Sequence, residues 1–363
     1  MIEPDNYWVA AGHKIDDISN THDVITFSWT GKQSEDYILL SESFYAAAEI
    51  IANEIINDYR DNSKSDQWFF PSFYLYRQAI ELLCKGLLIS VVPRKDITGK
   101  LTTYKHNIID LFNEYCSISP SVPLNNAEIT WLQTYLCELE TIDRASNLFR
   151  YPIKDGYLEQ YNDSFLDIVD MANAIDQCYS IIFKCVEIKY SPQKYANGID
   201  LSMAPKVLVF ASHGFGNCML YSSPWDEGFY PHIKGYSDIA YFLLDRLSKS
   251  HWSFMPIAFL LRHAIELTLK CMLLSRTAVN VEESVQRRKR KSHILYKDLW
   301  VSVKPMIEHY AKEMGYDLNI VQLADTYLFD LSKLDKEGDK FRYPTDYGLV
   351  YSLQLTQVDY YQA

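Results

Sequence analysis

Residues 69–90 read FFPSFYLYRQAIELLCKGLLIS, and residues 254–275 read FMPIAFLLRHAIELTLKCMLLS. At a constant offset of 185 positions, 11 of the 22 residues are identical. Two further echoes follow in the same order. Tyr104–Phe112 (YKHNIIDLF) matches Ser292–Trp300 (SHILYKDLW), and Phe149–Pro152 matches Phe341–Pro344, both FRYP. Ordered internal similarity of this kind marks a duplicated structural unit.

The repeated stretch has helical periodicity and carries one polar stripe. Arg77, Glu81 and Lys85 stand at i, i+4 and i+8, as do Arg262, Glu266 and Lys270. Adjacent opposite charges at this spacing can pair along one helix face. The rest of the circumference is Leu, Ile, Phe, Ala, Met and Cys, so the helix is expected at the centre of a bundle with its stripe at least partly buried. Buried charges need partners, because desolvation costs several kcal/mol for each ion. The stripe is therefore read either as an ion-pair ladder that fixes helix register or as a functional site.

Outward from these helices the pattern predicts an all-α protein of two duplicated four- or five-helix bundles. The expected organisation is an irregular N-terminal extension over 1–36, with a strand at 24–29, and a first bundle over 37–189. A Gly- and Pro-rich linker over 190–234, with a strand at 206–211, leads to a second bundle over 235–363. In the first bundle, helices are expected at about 40–59, 69–90, 105–117, 125–145 and 158–188. The polar stretch 61–67 is read as a break, Pro71 as a first-turn residue, and 91–104 as a basic loop. The second bundle should repeat them at about 236–249, 254–276, 293–313, 317–335 and 347–361.

Composition narrows the function classes. The chain has 363 residues, 48% of them apolar and 14% aromatic, enough for a sizeable core. Seven cysteines with no C-x-x-C pair suggest reduced thiols and a cytoplasmic protein. No signal peptide and no run of about 20 apolar residues is evident, so no membrane partner is expected. A formal charge of −12 argues against a general polyanion binder. The run Arg287, Arg288, Lys289, Arg290 and Lys291 is still a local candidate for RNA or phosphate contact. Phosphate-loop, zinc-protease and nucleophile-elbow motifs are absent, and no metal or cofactor is implied.

The FRYP turn and two histidines complete the candidate set. Because a residue before proline avoids the α region, Tyr151 and Tyr343 should end a helix, and Pro152 and Pro344 should stand near the start of the last one. Arg150 and Arg342 then lie at a helix junction, placed to clamp the helix end through Glu81 or Glu266, or to meet a phosphate. His106 and His293 precede the third helix of each bundle and are read as caps, packing residues or general bases. The spacing to the next Asp differs by one between the copies, 106 to 110 against 293 to 298.

LYRQAIELLCK and LRHAIELTLK, each followed by a His before an Asp-Leu-aromatic helix and then by FRYP, resemble the HEPN superfamily of small helical bundles. The resemblance covers roughly 40–188 and 236–363. It implies bundles of four or five helices that pair face to face. Many members are metal-independent ribonucleases of toxin–antitoxin, CRISPR and phage-defence systems, with an Arg-x4-6-His motif. Arg150 and Arg342 match the Arg of that motif, but neither is followed by a His at that spacing. Two readings therefore stay open. One is a non-catalytic module that binds RNA, a partner protein or itself. The other is an endoribonuclease using Arg150, Arg342, His106 and His293 at a groove between the repeats.

Overall fold

A computed structural model describes residues 24–152, 164–186, 199–214, 216–220, 228–276, 292–353 and 357–359. Helices dominate, and the chain divides into two compact units. One comprises Trp29–Gly235 with Pro344–Val350; the other comprises Met1–Ser28, Tyr236–Tyr343 and Tyr351–Ala363. We call them the first and second units.

The first unit is built on a hairpin of α1 (Gln33–Asn57) and α2 (Asn62–Val91). The polar stretch 61–67 is not a break: Asp61 caps α2 by accepting from Lys64 N, and the following polar residues form its opening turns. Pro71 is therefore internal to the helix and removes the bond to Gln67 O. Gly235 packs against that carbonyl so closely that a Cβ would lie 1.9 Å from the oxygen, so only glycine fits. From Trp68 to Leu88 every residue of α2 is buried, which makes it the core of this unit.

Around α2 stand α3 (Arg94–Tyr104), α4 (Ile108–Ile118), α5 (Asn126–Asp143) and α6 (Ile168–Phe183). The expected basic loop is thus largely helix, started by Pro93 with Asp96 in the first turn. Asn107 caps α4, Asn125 and Glu128 form a reciprocal capping box on α5, and Asp167 caps α6. The last of these helices is shorter than the predicted 158–188, because its N-terminal side is a strand. That strand, Phe165–Asp167, is the centre of a three-stranded antiparallel sheet flanked by Phe210–Ala211 and Asn217–Met219. Part of the expected linker is therefore ordered sheet.

The second unit contains most of α7 (Phe229–Leu244), together with α8 (His251–Arg276), a π-helical turn (Leu295–Trp300), α9 (Val301–Met314) and α10 (Asn319–Leu334). The π turn is where the two copies differ by one residue. Widening the first turn absorbs the extra residue, so Leu299 and Trp300 remain buried as Leu111 and Phe112 are. The helix expected over 347–361 does not form in the described residues. Asp346 N donates to Val350 O and Val350 N to the Asp346 carboxylate in a turn, and Gln357–Asp359 pairs antiparallel with Val24–Thr26. Pro344 therefore begins no helix.

Candidate functional site: a duplicated ion-pair network

In the first unit the stripe residues are at most 2% exposed. Glu81 is the hub. Its Oε2 takes Arg77 Nη1 at 2.6 Å, and its Oε1 takes Lys85 Nζ at 2.7 Å and His106 Nδ1 at 3.1 Å. Arg77 continues outward, with Nη2 donating to the His106 carbonyl at 3.0 Å and Nε lying 2.8 Å from Asp143 Oδ2. The last contact is an ion pair rather than an aligned hydrogen bond. Burial pushes the Glu81 carboxyl up, but Lys85, His106 and Arg77 together outweigh it and hold the pKa well below the ordinary value.

The second unit repeats this arrangement atom for atom. Glu266 pairs with Arg262 Nη1, with Lys270 Nζ at 2.8 Å and with His293 Nδ1 at 2.9 Å. Arg262 Nη2 donates to the His293 carbonyl at 2.7 Å, and its Nε lies 3.1 Å from Asp335 Oδ2. Burial raises the Glu266 carboxyl, and Lys270, Arg262, His293 and His263 overcome it, again to well below the usual range. His263 itself is a core residue, stacked on Phe259 and tilted against Tyr236.

Asp143 and Asp335 were missed in reading the sequence, although the signal is present. Each stands seven residues before the FRYP arginine, in IDRASNLFRYP and LDKEGDKFRYP. Each ends a helix and organises the next turn. Asp143 Oδ1 accepts from Asn147 N and Leu148 N, while Asp335 Oδ1 accepts from Gly338 N, Asp339 N and Lys340 N. The turn requires a left-handed residue, supplied by Ser146 (φ 57°) and by Gly338 (φ 84°). A Cβ on Gly338 would lie 2.9 Å from Arg262 Cζ.

The FRYP arginines secure the same turn. Arg150 Nε donates to Ser146 O at 2.5 Å and its Nη2 to Asn147 Oδ1 at 2.9 Å. Arg342 Nε donates to Gly338 O at 2.9 Å and its Nη2 to Asp339 Oδ1. The guanidiniums lie over the rings of Tyr151 and Tyr343, each 5.2 Å from the centroid. The clamp foreseen through Glu81 or Glu266 thus runs through the turn's own backbone. The phenylalanines anchor it: Phe149 packs on Phe69 at 6.1 Å and Phe341 on Phe254 at 6.2 Å.

In the first unit a further segment bears on the network. Lys85 Nζ lies 5.7 Å from the Tyr347 ring centroid, and the Tyr37 hydroxyl is bonded to Thr345. Burial, with Glu81, Tyr347 and Asp346 nearby, raises the Tyr37 phenol far above its ordinary pKa.

The two histidines are the most open members, their side chains 26% (His106) and 43% (His293) exposed. A buried carboxylate on Nδ1 fixes the ring's orientation, as a general base needs. The basic run 287–291 lies outside the described residues. Among the described residues no cluster of His, Cys, Asp or Glu could hold a metal ion, and no helix is long and apolar enough to cross a membrane. The chain matches no protein-family model, no curated protein and no solved structure.

Proposed function

We propose that the protein is a tandem HEPN-like helical module that acts by binding rather than by catalysis. The observation that carries this reading is the closure of both networks. Arg77, Glu81, Lys85, Arg262, Glu266 and Lys270 are at most 3% exposed and neutralise one another together with Asp143 and Asp335. A catalytic arginine must reach a substrate phosphate, whereas Arg150 and Arg342 are buried in the turns they hold. The arginines, glutamates and lysines kept in both copies find their partners within the fold. The charge of −12 favours a protein partner over RNA, in a setting of the toxin–antitoxin or phage-defence type.

One observation favours a second reading, a metal-independent endoribonuclease. It is the pair of partly exposed histidines, each oriented by a buried glutamate. Incubating purified protein with total RNA separates the two. The binding reading expects no cleavage by the wild type. Cleavage that disappears in His106→Ala and His293→Ala, with unfolding midpoints unchanged, would establish the enzyme.

A further inference from the structure

Between α3 and the end of α4 the first unit has a cavity of about 710 Å³ that opens to solvent. Lys95, Gly99 and Thr103 line it at i, i+4 and i+8, along one face of α3, together with Pro93 and with Ile118 of α4. Lys100 and Tyr104 also line it and tie α3 to α4. The Tyr104 hydroxyl donates to Glu114 Oε2 at 2.8 Å, and Lys100 Nζ pairs with Oε1 of the same carboxylate. The two helices are thus braced against each other beside the cavity.

Two features of this cavity are not explained by the fold. Gly99 stands inside a helix, where glycine is destabilising relative to alanine. A Cβ at this position would meet no atom within 4 Å, so packing does not require its absence. An open backbone there suits a ligand that approaches α3 closely. The second feature is charge. Lys95 is exposed, as are Arg94 beside it and Lys105 past the end of the helix. None of the three makes an ion pair or a side-chain hydrogen bond among the described residues. Residues 94–105 hold four cations against one carboxylate, in a chain of charge −12. The second copy is also basic just before its histidine, at 287–291. Ile118 adds an exposed apolar side chain to the lining.

We propose that this groove binds a short acidic segment of a partner protein. The inference rests on the binding-module reading and names the partner's chemistry. The segment sets an apolar side chain over Gly99, against Pro93 and Ile118, and places its carboxylates against Lys95 and Arg94. Single-stranded RNA is the poorer occupant. Its binding draws on a continuous basic track for the phosphates and on aromatic faces for the bases. Here Asp96 interrupts the basic lining, and Tyr104, the one ring among the described lining residues, is held by Glu114. A peptide needs only the few cations and the apolar edge that the groove provides.

The probe is the fluorescein-labelled peptide GEELFEEG, with labelled GQQLFQQG and oligouridylate as comparisons. Fluorescence anisotropy with the full chain should show the acidic peptide binding, more weakly as salt is raised, and the glutamine form binding several-fold less tightly. Lys95→Glu reverses an exposed charge and should weaken the acidic peptide about three- to ten-fold at low salt. Gly99→Phe fills the groove from a position where the fold leaves room. It should abolish binding, with the unfolding midpoint unchanged or raised. The proposal is overturned if the acidic peptide does not bind, if the glutamine form binds equally well, or if either variant binds as the wild type does. A lowered midpoint in Gly99→Ala would also overturn it, by showing that the fold needs the glycine. Tighter binding of oligouridylate, lost in the same two variants, would overturn it in favour of RNA. Cleavage of RNA by the wild type removes the binding-module reading, while the peptide results decide the groove on their own.

Discussion

Ser146 and Gly338 occupy one structural position with unequal ease. Both carry positive φ three residues after the helix-ending aspartate, and both offer their carbonyl to the FRYP arginine. A side chain in the left-handed region costs about 1 kcal/mol relative to glycine. Ser146→Gly is therefore expected to leave stability unchanged or raise it by up to ~1 kcal/mol in urea denaturation. Gly338→Ala should lower it by ~1–3 kcal/mol, because the added Cβ also drives into the Arg262 guanidinium. Equal effects of the two substitutions would separate the turns that the structure makes equivalent. At this scale the sequence was only partly legible. Arg77, Glu81, Lys85 and their second copies were visible from spacing alone. Asp143 and Asp335 were not, because they pair with a residue 66 or 73 positions away and lie outside the four-residue FRYP echo.

At the scale of elements, the two helix openings after His106 and His293 show how a repeated sequence pattern tolerates an insertion. The first copy begins with an ordinary α turn capped by Asn107, and the second with a π turn over Leu295–Trp300. Deleting Lys297 should convert the π turn to α and keep Leu299 and Trp300 inward, at a cost of less than ~1 kcal/mol. Deleting Ile109 from the first copy has no such slack. It rotates Leu111 and Phe112 by about 100° relative to His106 and should cost several times as much. Thermal unfolding of the two deletions checks this. The mismatch in spacing was plain in the sequence, but its resolution as a π turn was not, since a one-residue gap fits a loop equally well. The final helix was misjudged for a related reason. Proline after FRYP is compatible with a helix start, but Asp346 and Val350 close a turn instead.

For the molecule as a whole, each unit holds one buried charge hub. Both Glu81 and Glu266 are held below the ordinary carboxylate pKa, with burial opposing and the surrounding cations prevailing. A carboxylate whose folded pKa is depressed contributes stability that is fully present above its unfolded value of about 4.3 and is lost as the pH falls through the folded value. Unfolding midpoints should therefore decline below about pH 4.3 in the wild type, and less steeply in a Glu81→Gln, Glu266→Gln double variant. The mostly helical character was readable from periodicity. The small sheet and the assignment of Pro344–Val350 to the first unit depend on long-range packing that no local pattern announces.

The central claim is that the residues written twice hold the fold. Urea unfolding of Glu81→Gln and Glu266→Gln, each compared with wild type at pH 7, tests it most directly. Removing a hub leaves an arginine and a lysine buried without their shared carboxylate, a loss of ~3–5 kcal/mol. Each substitution is predicted to destabilise by about that amount, and their effects to add, because the hubs lie in different units. Midpoints within ~0.5 kcal/mol of wild type for both variants would contradict the account.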